Sequence, residues 1–239
     1  MTAPLRALLV LPLLLSACAG APPPPAAEAP RVTTWGTMRE VLRQGRSEGR
    51  AELAGLGGVA VGVGALEGLA GEVTIRDGEV LVSRPPDGGG GARVEGPRPG
   101  ERAALLVTAE VDAWETHALP ACDDYAGLEA AIQEALAAAG FDPAEATPVR
   151  VRGRASAVSV HVIAGACPIA RPEGPPPWRH QGAGEVELVG IAVRGAAGRL
   201  THHDRSSHLH AVLDGGRTAG HLDGVALEGG AVLLLPARG

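Results

Sequence analysis

A β-hairpin is predicted for residues 207–223, which read SHLHAVLDGGRTAGHLD. Two apolar runs flank Gly215 and Gly216, and a glycine pair between such runs is typical of a tight hairpin loop. Because successive side chains of a strand point to opposite faces, His208 and His210 share one face. We expect the other face to meet an apolar core through Leu209, Ala211, Leu213 and Leu222.

The loop also fixes the register of this hairpin. Pairing outward from the two glycines places His210 directly opposite His221, and directly opposed residues have Cβ atoms roughly 4.5–5.5 Å apart. The three imidazoles of His208, His210 and His221 then converge on one point. The same register sets Asp223 opposite His208, where it would support that ring.

Three converging histidines favour a metal site, whereas a single strand histidine is usually an independent surface residue. Imidazole nitrogens bind a metal such as zinc at about 2.0–2.1 Å. The hairpin offers no further Cys or His, and an open coordination position is typical of catalytic rather than structural sites. We therefore predict a metal site on His208, His210 and His221.

The composition favours a turn-rich, strand-rich chain without a nucleic-acid partner. Its 35 glycines and 20 prolines among 239 residues indicate many turns. Aromatic residues make up only 2%, so the core must consist of Val, Leu, Ile and Ala. The net charge is -6 and no basic patch is visible, which argues against nucleic-acid binding.

The first 17 residues are typical of a targeting segment. Arg6 precedes an apolar run at residues 7–15, which is too short to span a bilayer. Residues 15–18, LSAC, resemble a bacterial lipoprotein signal, which implies cleavage before Cys18 and lipidation of its thiol. We expect an exported protein held by this lipid at the periplasmic or cell-surface side of a bacterial membrane. An ordinary secretory signal with an incidental cysteine is the alternative.

Two further cysteines, Cys122 and Cys167, are compatible with either of two states. A disulfide between them would suit an exported chain, because export places the protein in an oxidising compartment. Two free buried thiols are the alternative, and the sequence leaves both open.

The rest of the chain predicts strands with a few short helices. We expect a helix over residues 34–45, a glycine-rich strand at 58–64, a hairpin turning at Asp77-Gly78 and a helix over residues 125–139. Two paired strands are predicted around Gly153. The predicted class is α+β, with strand-rich mixed sheets in two lobes, a few short helices and the metal-binding hairpin in the C-terminal lobe. The predicted divisions are a signal peptide at 1–17, a proline-rich linker at 18–33, an N-terminal lobe at 34–167 and a C-terminal lobe at 168–239.

Four stretches, in order, resemble the alpha-acetolactate decarboxylase family. They are residues 36–64, the motif LAGE at 69–72 with Asp77-Gly78, residues 149–163, and HLH at 208–210 with GH at 220–221. Only the last stretch is specific for the family. The other three are weak matches individually and support the resemblance because they occur in the family's order.

The resemblance implies a metal, usually zinc, on His208, His210 and His221, and an active-site carboxylate at Glu72. On its own, Glu72 at a strand edge would be expected in solvent. Where the family has an arginine, this chain has His161, which we include with Glu72 as a candidate catalytic residue. The implied reaction removes CO₂ from a 2-hydroxy-3-oxo acid such as acetolactate and gives a hydroxyketone such as acetoin.

Three hypotheses follow for the function. The first is a lipid-anchored, metal-dependent decarboxylase; the second is a divergent lipoprotein of the same fold that binds a metal or an oxo-acid without turnover. The third is a structural domain whose histidines bind nothing. The expected partner is a small-molecule oxo-acid, membrane contact is expected only through the lipid, and a homodimer is left open.

Overall fold

The computed structural model describes residues 30–88, 90–167 and 171–238. The signal peptide, Cys18 and most of the predicted linker lie outside the described residues. The linker was predicted to reach residue 33, but the first strand already begins at Arg31. No helix in the described ranges is long and apolar enough to cross a membrane.

The first sheet is formed by the N-terminal half of the chain. Its strand order is β1-β7-β3-β4-β5-β6, and a short β2 pairs with β7. The strands are β1 (Arg31–Trp35), β2 (Ala51–Glu52), β3 (Val61–Leu66), β4 (Glu72–Arg76), β5 (Glu79–Arg84), β6 (Arg93–Glu95) and β7 (Arg102–Glu110).

The second sheet is formed by the C-terminal half. Its strand order is β10-β11-β12-β9-β13-β8, and β10 also pairs with β9, so that β9 to β12 form a closed ring of antiparallel pairs. The strands are β8 (Trp114–Ala118), β9 (Thr147–Val162), β10 (Trp178–Ala192), β11 (Ser207–Leu213), β12 (Thr218–Leu227) and β13 (Val232–Pro236).

One α-helix, α1 (Tyr125–Ala138), covers part of the second sheet. The Asp124 carboxylate accepts a hydrogen bond of 2.7 Å from the Gly127 N–H, which satisfies a free donor in the first turn. Leu128, Ile132 and Leu136 repeat at helical spacing and are fully buried in the core that α1 forms with this sheet. The predicted helix is therefore confirmed to within a residue.

The strand-rich α+β class is confirmed, although the strand pairs are all antiparallel where mixed sheets were predicted. The sheets pack against each other through Leu81 on β5 and Val189 on β10, which belong to one apolar cluster with Val212 and Ala219. The hairpin at Asp77-Gly78 is also present. Both of its turn residues have positive φ, 46° and 79°, as a type I′ turn requires.

Two local predictions were wrong. Residues 31–35 form a strand, so the helix expected over 34–45 is reduced to a five-residue π-helical turn, Arg39–Arg43. Gly153 does not separate two strands, because β9 runs through it for 16 residues. A Cβ at Gly153 would come within 2.7 Å of the Ala231 Cβ. This glycine therefore permits close packing against the segment before β13 and does not form a turn.

The boundary between the sheets falls between Glu110 and Trp114. The predicted lobe boundary at residue 168 does not coincide with it, since β8 and β9 already belong to the second sheet.

Cys122 and Cys167 are both free and buried, so the disulfide alternative is not realised. The two residues belong to different apolar clusters. Cys122 packs with the core of α1, whereas Cys167 packs with Met38 and Val41.

Candidate metal centre

The hairpin of β11 and β12 brings the three predicted ligands together. His210 pairs directly with His221, as the sequence register requires. The loop is longer than predicted, because pairing ends at Leu213 and Thr218 and residues 214–217 form the turn. His210 still pairs with His221, because each strand ends one residue farther from the loop than predicted.

The ring nitrogens of His208, His210 and His221 lie within 4.8 Å of one another. Their ring centroids are 5.2–5.5 Å apart. Three imidazoles at such distances can direct one nitrogen each at a shared ion, as a three-histidine metal site requires.

His210 is held by the opposite sheet. Its Nδ1 lies 2.8 Å from the Thr74 hydroxyl on β4, a contact that fixes the ring. Its Nε2 is buried and has no hydrogen-bond partner within the described residues. A buried nitrogen without a partner is costly, and a divalent metal at this point would satisfy it.

His208 and His210 are buried and His221 is half-buried, and this environment favours the neutral form of the three rings. Burial lowers the pKa of His208 to about 3 and holds the pKa values of His210 and His221 well below the usual range of histidine. Neutral imidazoles are the form that ligates a metal.

Glu72 lies beside these histidines and is buried, not solvated as its strand-edge position alone would predict. Its side chain is 5% exposed, and its Oε2 is 3.8 Å from His210 Nε2. The Ile163 N–H donates to Oε1 at 3.4 Å. Burial raises the pKa of Glu72 to about 7, so its carboxyl can carry a proton near neutral pH.

Asp223 does not support His208 as predicted. A β-bulge interrupts the pairing of β12 with β9 between Leu222 and Gly224, and Asp223 is the extra residue. Its carboxylate instead contacts His161 Nδ1 at 2.7 Å and Arg179 Nη1 at 2.5 Å.

His161 is placed next to the three histidines by strand pairing. It lies directly across from His221, and the two ring centroids are 4.8 Å apart. His202, in the segment before β11, has its ring 4.9 Å from that of His221.

The structure adds Thr74 to the site, which the sequence reasoning did not single out. Alternation along β4 places Thr74 on the same face as Glu72, and this pattern could have identified it. Tyr125, whose hydroxyl lies 3.2 Å from that of Ser207, carries no comparable sequence signal.

A cavity of about 300 Å³ adjoins the histidine cluster, and His208 and His221 line it. Its polar wall carries Glu72, His161, Arg179, His202, Arg205, His208, His221 and Asp223, and its apolar wall carries Met38, Leu42, Leu105, Ile163 and Leu222. A space of this size suits a small molecule. The predicted residues Glu72, His161, His208, His210 and His221 are therefore brought together, whereas Cys122 lies outside the cavity and Cys18 outside the described residues.

The fold and this site define a two-sheet protein with a buried three-histidine cluster. No protein-family model matches the chain, and no curated protein matches it by sequence. Solved structures do share the fold. The alpha-acetolactate decarboxylase of Bacillus subtilis strain 168 superposes with a TM-score of 0.69 at 20% identity, over 86% of this chain and 85% of that chain.

Two further structures agree with this finding. The acetolactate decarboxylase of Bacillus subtilis subspecies spizizenii gives a TM-score of 0.69 at 19% identity, over 87% and 86% of the two chains. A Staphylococcus aureus protein of unknown function, described as similar to alpha-acetolactate decarboxylase, gives 0.65 at 15% identity, over 87% and 85%. The chain therefore has the alpha-acetolactate decarboxylase fold.

Proposed function

We propose that this protein is a metal-dependent decarboxylase of 2-hydroxy-3-oxo acids, converting an acetolactate-type substrate to a hydroxyketone and CO₂. The observation that carries the proposal is the buried cluster of His208, His210 and His221 beside Glu72, at a small cavity. Its position in a fold shared with alpha-acetolactate decarboxylases supports the same conclusion.

The metal of the proposal is zinc, held by His208, His210 and His221. Nitrogen-rich sites with three protein ligands are typical of catalytic zinc. When bound, the ion supplies a Lewis acid that stabilises negative charge on the substrate oxygens after CO₂ has departed.

The protein's own residues prepare the substrate for this chemistry. The Thr74 hydroxyl fixes His210, and the apolar wall around Leu105 and Ile163 offers a surface for the alkyl part of the substrate. Glu72 then supplies the proton that replaces the carboxyl group. Because the protonated carboxyl group of Glu72 projects from β4, the proton is delivered from that side of the cavity, and the hydroxyketone should form as a single enantiomer.

Turnover of acetolactate by zinc-loaded protein is the expected result. Acetoin and CO₂ should form in equal amounts, with one zinc per chain by elemental analysis. Glu72→Gln should retain zinc and lose turnover roughly 100-fold or more, because a positioned acid contributes about 10²–10⁴-fold. Glu115→Gln, which changes an exposed glutamate on β8, is the matched control and should be fully active.

Zinc binding without turnover of any 2-hydroxy-3-oxo acid would reject the decarboxylase. That outcome would favour the second candidate, a lipoprotein of this fold that binds a metal or an oxo-acid. The observation favouring it is that His161 occupies the strand position where the resembling family has an arginine, and arginine binds a carboxylate bidentately as histidine does not.

We also propose that the protein is exported and anchored by a lipid on Cys18, which the sequence at residues 15–18 supports. Expressed with its leader, the protein should sediment with membranes, and Cys18→Ser should release it to the soluble fraction. A wild-type protein that is soluble and carries no acyl group by mass spectrometry would contradict the anchor.

A further inference from the structure

We propose that Asp223 is a positioning residue, which orients His161 so that one ring nitrogen is presented to a hydroxyl group of the substrate. The strand β12 contains a bulge. Asp223 is the extra residue between Leu222 and Gly224 in the pairing with β9. Bulges next to active sites commonly re-aim a side chain, and here the carboxylate lines the cavity.

The contact between Asp223 and His161 determines which nitrogen carries hydrogen. The Asp223 Oδ1 lies 2.7 Å from His161 Nδ1. An ionised carboxylate only accepts hydrogen bonds, so Nδ1 must be the donor. In a neutral ring Nε2 is then an acceptor. Among the described residues the ring hydrogen-bonds through Nδ1 alone, which leaves Nε2 for a ligand.

Arg179 fixes the carboxylate from its other side. Its Nη1 lies 2.5 Å from Asp223 Oδ2, and the residue is directly across from His161 in the pairing of β10 with β9. Both carboxylate oxygens are therefore engaged, one by each neighbour. This arrangement holds Oδ1 towards His161 and restricts rotation of the imidazole.

The presented nitrogen belongs to the same cavity as the metal centre. The ring of His161 is 4.8 Å from that of His221, a proposed ligand. An acceptor at this point suits the hydroxyl donor of a 2-hydroxy-3-oxo acid. This assignment of the ligand rests on the proposed function, whereas the orientation of His161 by Asp223 does not.

The test is Asp223→Asn in zinc-loaded protein, with the histidine tautomers read by ¹⁵N NMR. We expect His161 to carry its hydrogen on Nδ1 in the wild type and to populate the Nε2–H form in the variant. Zinc content should be unchanged and kcat should fall roughly 10- to 100-fold, by analogy with the loss of activity on removing a carboxylate that orients a metal-binding histidine. Asp223→Glu should recover part of both properties. Asp214→Asn, an exposed aspartate in the same hairpin, should change neither.

An Nε2–H tautomer in the wild type, or an unchanged tautomer in Asp223→Asn, would overturn the positioning role. An unchanged kcat in a variant whose tautomer has shifted would overturn the assignment of the hydroxyl to Nε2. If the wild type turns over no 2-hydroxy-3-oxo acid but shows the expected tautomers, the proposed function fails while the role of Asp223 in orienting His161 stands.

Discussion

Replacement of His210 by alanine is expected to weaken zinc binding roughly 100- to 1000-fold. Apparent binding energies of structural zinc sites are about 10–16 kcal/mol, or roughly 2.5–4 kcal/mol for each of four ligands. At about 1.4 kcal/mol per tenfold change in affinity, the loss of one ligand weakens binding roughly 100- to 1000-fold. Competition titration against a chelator measures this change directly.

His210 is the most sensitive of the three ligands because it is fully buried and held from the opposite sheet. Its side chain is 0% exposed, and its Nδ1 contacts the Thr74 hydroxyl at 2.8 Å. No water can take its place without entering the interface between the sheets. At the same zinc concentration, zinc should therefore raise the midpoint of thermal unfolding of the wild type more than that of His210→Ala, since stabilisation by a ligand falls as its dissociation constant rises.

The control is His180→Ala, which changes a histidine that stacks on Trp178 outside the cavity. This variant should bind zinc with wild-type affinity. Equal affinity of all three proteins for zinc would show that the metal, if bound, is held elsewhere, and the predicted ligand set would be wrong.

The hairpin and its histidines could be predicted because their positions depend on local rules. Alternation and register follow from the backbone, so the pairing of His210 with His221 was obtained even though the loop was longer than expected. The helix α1 was likewise obtained from its apolar spacing. Such features depend only on residues within a short stretch of sequence.

Other features depend on contacts between distant segments and could not be predicted from a short stretch of sequence. Glu72 is buried because the second sheet covers it, which no property of β4 reveals. Asp223 contacts His161 and not His208 because a bulge shifts β12 against β9. Gly153 was interpreted as a break in β9, yet it is needed for close packing against Ala231.

Replacement of Arg150 by alanine is expected to lower the free energy of unfolding by about 3 kcal/mol. Its side chain is 2% exposed and forms ion pairs with Asp77 and Glu187. Asp77 lies in the turn between β4 and β5 and Glu187 lies on β10, so Arg150 connects the two sheets. Removing one member of a buried ion pair typically costs about 3–5 kcal/mol.

The low end of that range is expected because Glu187 keeps other partners. Arg152 Nε lies 3.0 Å from it and Arg76 Nη1 lies 3.2 Å from it, so its charge is not left isolated. Arg150→Met should lose less stability than Arg150→Ala, since the methionine side chain fills part of the volume that arginine occupied. Urea denaturation of both variants, analysed with one common dependence of the free energy of unfolding on urea concentration, measures the two losses of stability.

Arg154→Ala supplies the matched control, because it removes an arginine from the same strand and an ion pair with the same partner strand. Arg154 Nη1 is 3.0 Å from Glu185, but the two side chains are 59% and 76% exposed. Exposed pairs contribute about 0–1 kcal/mol.

If Arg150→Ala lost no more stability than Arg154→Ala, the sheets would be held together by apolar contacts such as Leu81 with Val189 rather than by the ion pairs of Arg150. Thr74 would then remain in place against His210, and zinc affinity in Arg150→Ala would equal that of the wild type.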